Sequence, residues 1–311
     1  MGDTTHSDVD SPRTDGGSAG TLSDSPLHPP PAHRERSVDA TAQITSVPWL
    51  QQVRAFAVRT LRALVRNRPA LIWGLAAPVF FFLVFGVLLG SGGVQRGANA
   101  VVFGVFGAFS VSLVVFATAL SADLQARRYR KLRSLPVSPS ADLFGRFLGG
   151  LALSTVSFCL VLGVGVLSGG TLAVRSALAV PVVLGSLVLF CLLAMGTAVV
   201  VASVLDDGEY VVGVTNMLTL ALFFLTGYNG LLPAVAPGPL GSLVNALPNS
   251  LATRLAVVHL VPVAPSGTPL TPPALPSGWQ PLALLVIYAV VGTVVGSWAM
   301  RRRIYENEGG E

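Results

Sequence analysis

One lysine, Lys131, serves the whole 311-residue chain. It follows an arginine and precedes a leucine, so no Gly-x4-Gly-Lys-Ser/Thr phosphate loop forms and ATP is not bound that way. The two cysteines, Cys159 and Cys191, each stand midway along an apolar run. They make neither a disulfide framework nor a metal site and read as small buried hydrophobes. Of the four histidines, His6, His28 and His33 fall in polar N-terminal sequence. His259 has no carboxylate or second histidine near it in sequence and reads as a helix-end or interfacial residue. There is no His-Glu-x-x-His, and no Gly-x-Ser-x-Gly beyond the polar tail, where 16–20 spells one without an apolar strand before it, so the expected catalytic and metal-ligating residues are none. Charge itself is scarce, at 11% of residues against about a quarter in soluble domains.

What charge there is lies unevenly. Seven of the 15 acids (Asp3, Asp8, Asp10, Asp15, Asp24, Glu35, Asp39) crowd the first 45 residues, and three more (Glu306, Glu308, Glu311) close the chain. Only Asp123, Asp142, Asp206, Asp207 and Glu209 remain between. The net charge of +5 therefore joins an acidic tail to a basic body. Aromatics are not interleaved with the arginines in a folded soluble pattern, so nucleic acid is not an expected partner and anionic lipid headgroups are. Residues 1–45, rich in Ser, Asp, Pro, Thr and Gly, read as a disordered cytoplasmic tail. Their acidic, polar start does not read as a signal peptide.

The body is apolar. Residues 49–66, "WLQQVRAFAVRTLRALVR", within a segment 46–68, have the period of an amphipathic helix. Arg59, Arg62 and Arg66 fall in one arc, with Leu50, Val53, Ala57, Leu61 and Leu64 opposite. The expectation is a helix lying in the membrane plane, apolar face down and arginines toward phosphate. Six apolar runs follow, at 70–90, 100–122, 147–167, 177–205, 210–232 and 281–300. Each is about as long as a ~30 Å hydrocarbon core requires of a helix, and none carries an ionisable acid or base in its interior. The fold class expected is an all-α integral membrane protein, with a six-helix domain over 69–303 and a short tail over 304–311. Small residues at Gly145, Gly149 and Ala152 allow close helix approach. Arginine is concentrated before the first run, in 123–146 and in "RRR" at 301–303, which places both termini in the cytoplasm of a multi-pass cell-membrane protein. The connection 233–280 contains "SLVNALPNSLATRLAVVHLV", too broken to span, and reads as short outer re-entrant helices.

With no intramembrane acid to carry a coupling ion, any work must be driven from elsewhere. The 123–146 loop is the feature placed to receive it. A short basic helix bearing Leu132 and Leu135 would end at Pro136, and Ser138 and Pro139 would open the next helix. The plainer reading of the same residues is a positive-inside anchor. In the fifth run Asn216, Thr219, Phe223 and Thr226 share a face, either lining a path or hydrogen-bonding between helices.

The text "LRSLPVSPSADLFGR", 132–146, resembles the coupling loop of type-2 ABC transporter permeases, the drug- and polysaccharide-exporting class that includes daunorubicin-resistance permeases. Leu132, Arg133, Pro136, Val137, Ser138, Pro139, Gly145 and Arg146 carry the match, although "DLQARRYRK" stands where that family has an acidic Glu-Gly-Thr-Leu-Glu. "FLTGYNGLLP" at 224–233 and "PNSLATR" at 248–254 fit the family in order and spacing. The resemblance implies a permease subunit of an exporter without its own ATPase. Its ATP and Mg would be held by a separate ATPase subunit docked on Arg130, Lys131, Leu132, Arg133, Leu135, Pro136, Ser138 and Pro139. It also implies a second permease chain, identical or a sister subunit, and spans two and five as pathway walls. The competing expectation is a non-transporting membrane anchor that docks a cytoplasmic partner through the basic loop.

Overall fold

A computed structural model describes residues 48–90, 92–126, 138–225, 239–262 and 278–302. The chain divides into two units, Met1–Thr45 and Ser46–Glu311, and the first lies outside the described residues. Of the described residues 88% are helical and none is in a strand. That is the solution available to a chain whose backbone must satisfy its own hydrogen bonds in hydrocarbon.

Helix α1 is Trp49–Arg66. Helix α2, Arg68–Phe81, runs on as π-helical turns over Phe82–Leu88, after the internal Pro78. Helix α3, Gly93–Gln125, contains a second π-helical stretch at Val111–Val115. Then come α4, Pro139–Leu167; α5, Ala179–Val204; α6, Gly208–Leu225; α7, Pro239–Ala246; α8, Pro248–Leu260; and α9, Gln280–Ala299. Among the described residues four helices are long and apolar enough to cross a membrane: α3, α4, α5 and the helix Gln280–Arg302 that extends α9. Gly74–Leu88 in α2 and Gly208–Phe224 in α6 are apolar but shorter. The six expected spans thus become four of full length and two shorter apolar helices. The end of the fifth expected run, 226–232, lies outside the described residues.

Helix α3 is the centre of the bundle, with residues such as Val101, Ala108, Leu113 and Leu120 at 1% exposure or less. Phe109 stacks on Phe190 of α5, ring centroids 4.8 Å apart. Helix α5 in turn lies backbone to backbone on α9: a Cβ on Gly196 would stand 2.2 Å from the Gly292 carbonyl oxygen, and one on Gly296 2.9 Å from the Gly196 Cα. Only glycine permits that separation.

Helix α1 occupies its expected range, but its apolar stripe meets protein. Val53, Phe56, Thr60 and Leu64 are buried, and the surface they meet is α4. A Cβ on Gly145 would fall 2.4 Å from Phe56 Cβ, and one on Gly149 3.0 Å from the Ala57 carbonyl oxygen. Leu50, expected on the buried face, is 71% exposed. Two glycines one turn apart on α4 make a flat groove that receives the buried stripe at i, i+3, i+7 and i+11. Exposed Leu50, Val58 and Val65 form a separate apolar flank, and Arg62 and Arg66 are exposed beyond it while Arg59 is half-buried.

The expected re-entrant segment is the helix pair α7–α8. Arg254, fully buried in α8, donates from Nη1 to Asn245 Oδ1 of α7. The end of α8 is stitched to the 171–175 segment by Ala173 N–H to the Leu260 carbonyl, 2.8 Å, and Arg175 N–H to the His259 carbonyl, 3.3 Å. His259 sits in the last turn of α8, as expected. Cys191 is buried, whereas Cys159 is on the exposed side of α4, so only one of the two matches the buried reading. The Pro-rich 263–277 stretch lies outside the described residues.

Candidate functional site

Helix α4 begins eight residues before the expected 147, and the extra two turns carry charge. Ser138 takes the N-cap position and Pro139 the first turn, as their types favour. The Ser138 hydroxyl does not cap, however; it pairs with Ser140 Oγ at 2.8 Å. The Ser138 carbonyl accepts from Ala141 and Asp142 N–H, and its own N–H donates to Gln52 Oε1 of α1 at 3.0 Å. Trp49 Nε1–H donates to Ser140 Oγ, 3.2 Å, and its ring meets Phe144 edge-on at 5.7 Å. The start of α4 is therefore fastened to the start of α1.

One turn further, Asp142 and Arg146 are both buried, and across from them Asp123 ends α3. Arg146 Nη2 lies 2.9 Å from Asp123 Oδ2, and Arg146 Nε donates to both Asp142 oxygens at 3.1 Å. One guanidinium thus joins two carboxylates from two helices. Its planar fork of donors suits this role as an ammonium does not. Dipoles add to it: Asp142 is in the first turn of α4 and the cation faces the C-terminal end of α3. The triad ties the end of α3 to the start of α4, the two helices that flank residues 127–137. Sequence reading had the i, i+4 spacing of Asp142 and Arg146 available as a signal, but nothing in the sequence paired Arg146 with Asp123 across the loop.

The second feature is a cavity of about 510 Å³ between α2, α3 and α6. Asn216 and Thr219, two of the four expected path residues, line it together with Ser110, Thr118, Pro78 and Phe106. Among the described residues no ionisable side chain lines it. The Thr118 and Thr219 hydroxyls donate to their own helices, at 2.7 and 2.8 Å, and so present their methyl groups. The Asn216 amide makes no hydrogen bond among the described residues. Phe223 is not in the lining; it packs on Phe106 and Phe103, centroids 4.5 and 5.3 Å away, in an aromatic cluster that includes Phe81 and Phe85. Next to it, the Leu222 carbonyl accepts from the Asn249 amide of α8. Of the other expected site residues, Arg130, Lys131, Leu132, Arg133, Leu135, Pro136 and Thr226 lie outside the described residues.

Long apolar helices around a buried core, with a charged clamp at one end and an open cavity between α2, α3 and α6, are those of a multi-pass membrane protein. Residues 51–260 match the family profile of the ABC-2 type transporter, and the chain belongs to that family. It is the membrane permease component of an ABC transporter, not the ATPase, and the family normally works with an ABC ATPase partner. A comparison with curated proteins returns no match.

Proposed function

We propose that this chain is the permease subunit of an ATP-driven exporter of the cell membrane, with both termini cytoplasmic, moving an amphipathic drug, a lipid or a lipid-linked glycan outward. A separate ATPase subunit, holding ATP and Mg, seats on the 123–142 elbow, and a second permease chain completes the path. Membrane lipids contact the arginine face of α1. The observation that carries the reading is the Asp123–Arg146–Asp142 triad. A loop pushed by a partner transmits motion only if its stems move together, and a buried two-carboxylate clamp gives them one rigid base.

The cavity supports transport over simple anchoring. Its apolar walls with a free amide at Asn216 suit an uncharged amphipathic surface, since a polar group in hydrocarbon needs a partner from water, cargo or the second chain. The aromatic cluster at Phe223 and Phe106 stands at the end of this cavity, where a closed path needs its seal.

The decisive test is the double variant Leu132→Asp/Leu135→Asp, reconstituted with an ABC ATPase subunit that supports export by the unaltered chain. Export falls to background while membrane insertion is unchanged; wild-type export by this variant overturns the coupling role. Purification without any ATPase subunit would favour the anchor.

A further inference from the structure

A second, smaller cavity of about 160 Å³ lies between the start of α4 and the end of α9. It shares no lining residue with the α2–α3–α6 cavity. Its floor is apolar, with Leu143, Phe147 and Met300 buried, and its outward wall is Phe144 and Val294, 50% and 58% exposed. Its rim is polar: Ser140 on one side and Arg301 on the other. Among the described residues no acid lines it; the carboxylates Asp123 and Asp142 are engaged by Arg146.

These parts are stacked as a phospholipid is. The groove lies at the start of α4 and the end of the apolar helix Gln280–Arg302, with apolar side chains along one part and Arg301 at the other. Beside the rim, Arg302 lies 5.3 Å over the Trp298 ring. Arginines at the C-terminal end of one helix and the N-terminal end of α4 both present positive potential to the same point. We infer that this groove is a binding site for an anionic phospholipid, its phosphate held at Arg301 and Ser140 and one acyl chain laid along Phe144, Phe147 and Val294. Charge complementarity selects the anionic headgroup over a zwitterionic one. The phenyl wall, continuous with the membrane, selects a lipid over a soluble phosphate. This site rests on the membrane assignment of α4 and α9 but not on export, so its test needs neither the ATPase nor a cargo.

Tryptophan supplies the reporter, because the chain has four and two flank the groove. Trp49 touches Phe144 and Trp298 carries Arg302. Trp279, at the opposite end of α9, is the control. Full-length single-tryptophan variants, the others replaced by phenylalanine, are reconstituted into symmetric nanodiscs containing phosphatidylcholine. Phosphatidylglycerol or phosphatidylcholine with brominated acyl chains is then titrated in. Quenching of Trp49 is expected to favour the anionic lipid about fivefold, the ratio that ~1 kcal/mol per arginine near the surface gives. The preference disappears in Arg301→Gln, returns in Arg301→Lys, and is absent at Trp279. Equal quenching by both lipids at Trp49, an unchanged preference in Arg301→Gln, or the same preference at Trp279 each overturns the site. Each of these results leaves the export reading untouched.

Discussion

Replacing Arg146 by glutamine would take the guanidinium away from two buried carboxylates, Asp123 and Asp142. Asp142 and Arg146 have side chains 2% and 7% exposed, and Asp123 11%. At that depth solvent does little screening, and removing one partner of a buried ion pair costs about 3–5 kcal/mol. At about 2–4 °C per kcal/mol for a chain of this size, the melting midpoint should drop by roughly 10 °C. Arg146→Lys should fall between, since the charge stays but the fork that reaches both carboxylates is lost. The assay is thermal unfolding of the purified, reconstituted chain, run beside the ATPase activity of the complex. Stability alone is not the point, so the Asp123→Asn/Arg146→Gln cycle is included. Because the two side chains touch, their effects should be non-additive by at least about 0.5 kcal/mol. Coupled export should fall in Asp123→Asn even under conditions where that variant is fully folded. The reasoning fails if Arg146→Gln melts within a degree of wild type, or if the cycle is additive.

Other outcomes follow from the same geometry. Gly145→Val drives a side chain into Phe56 and the Val53 carbonyl; the overpacking should cost about 1–3 kcal/mol and open α1 to tryptic cleavage at Arg54 and Arg62, read by limited proteolysis of membranes. Asn216→Leu makes the 510 Å³ cavity wholly apolar at that point and should shift the cargo profile toward apolar compounds, measured as a change in relative export rates with insertion unaltered. Asn249→Leu removes the donor to the Leu222 carbonyl, which should cost about 1–3 kcal/mol for the buried group left behind. A cysteine at 219, in a background with Cys159 and Cys191 replaced, should then react faster with an impermeant thiol reagent added outside.

Much of this molecule was readable before any coordinates. Apolar runs of hydrocarbon length announced the helices, because in lipid the backbone has few other choices. Ser138–Pro139 marked the start of α4, and Gly145 and Gly149 marked a close helix contact. What that contact would be was not readable. Period alone put Val53 and Leu64 on one face with Leu50, Ala57 and Leu61; it does not say whether lipid or a glycine groove receives that face, nor that Phe56 joins it. The triad was hidden for a related reason. Asp142 and Arg146 are neighbours in sequence, but Asp123 meets them only because the end of α3 and the start of α4 lie side by side, which is a fact of packing. Phe223 illustrates the same limit: helical spacing put it with Asn216 and Thr219, yet aromatic neighbours on α3 draw its ring out of the cavity and into their own cluster.

The glycine seam between α5 and α9 has a mechanical consequence. Where two main chains lie within touching distance at Gly196 and Gly292, neither helix can slide or roll on the other without atoms colliding. The seam is a fixed frame, and under the export reading proposed above a stroke would be taken up by helices outside it.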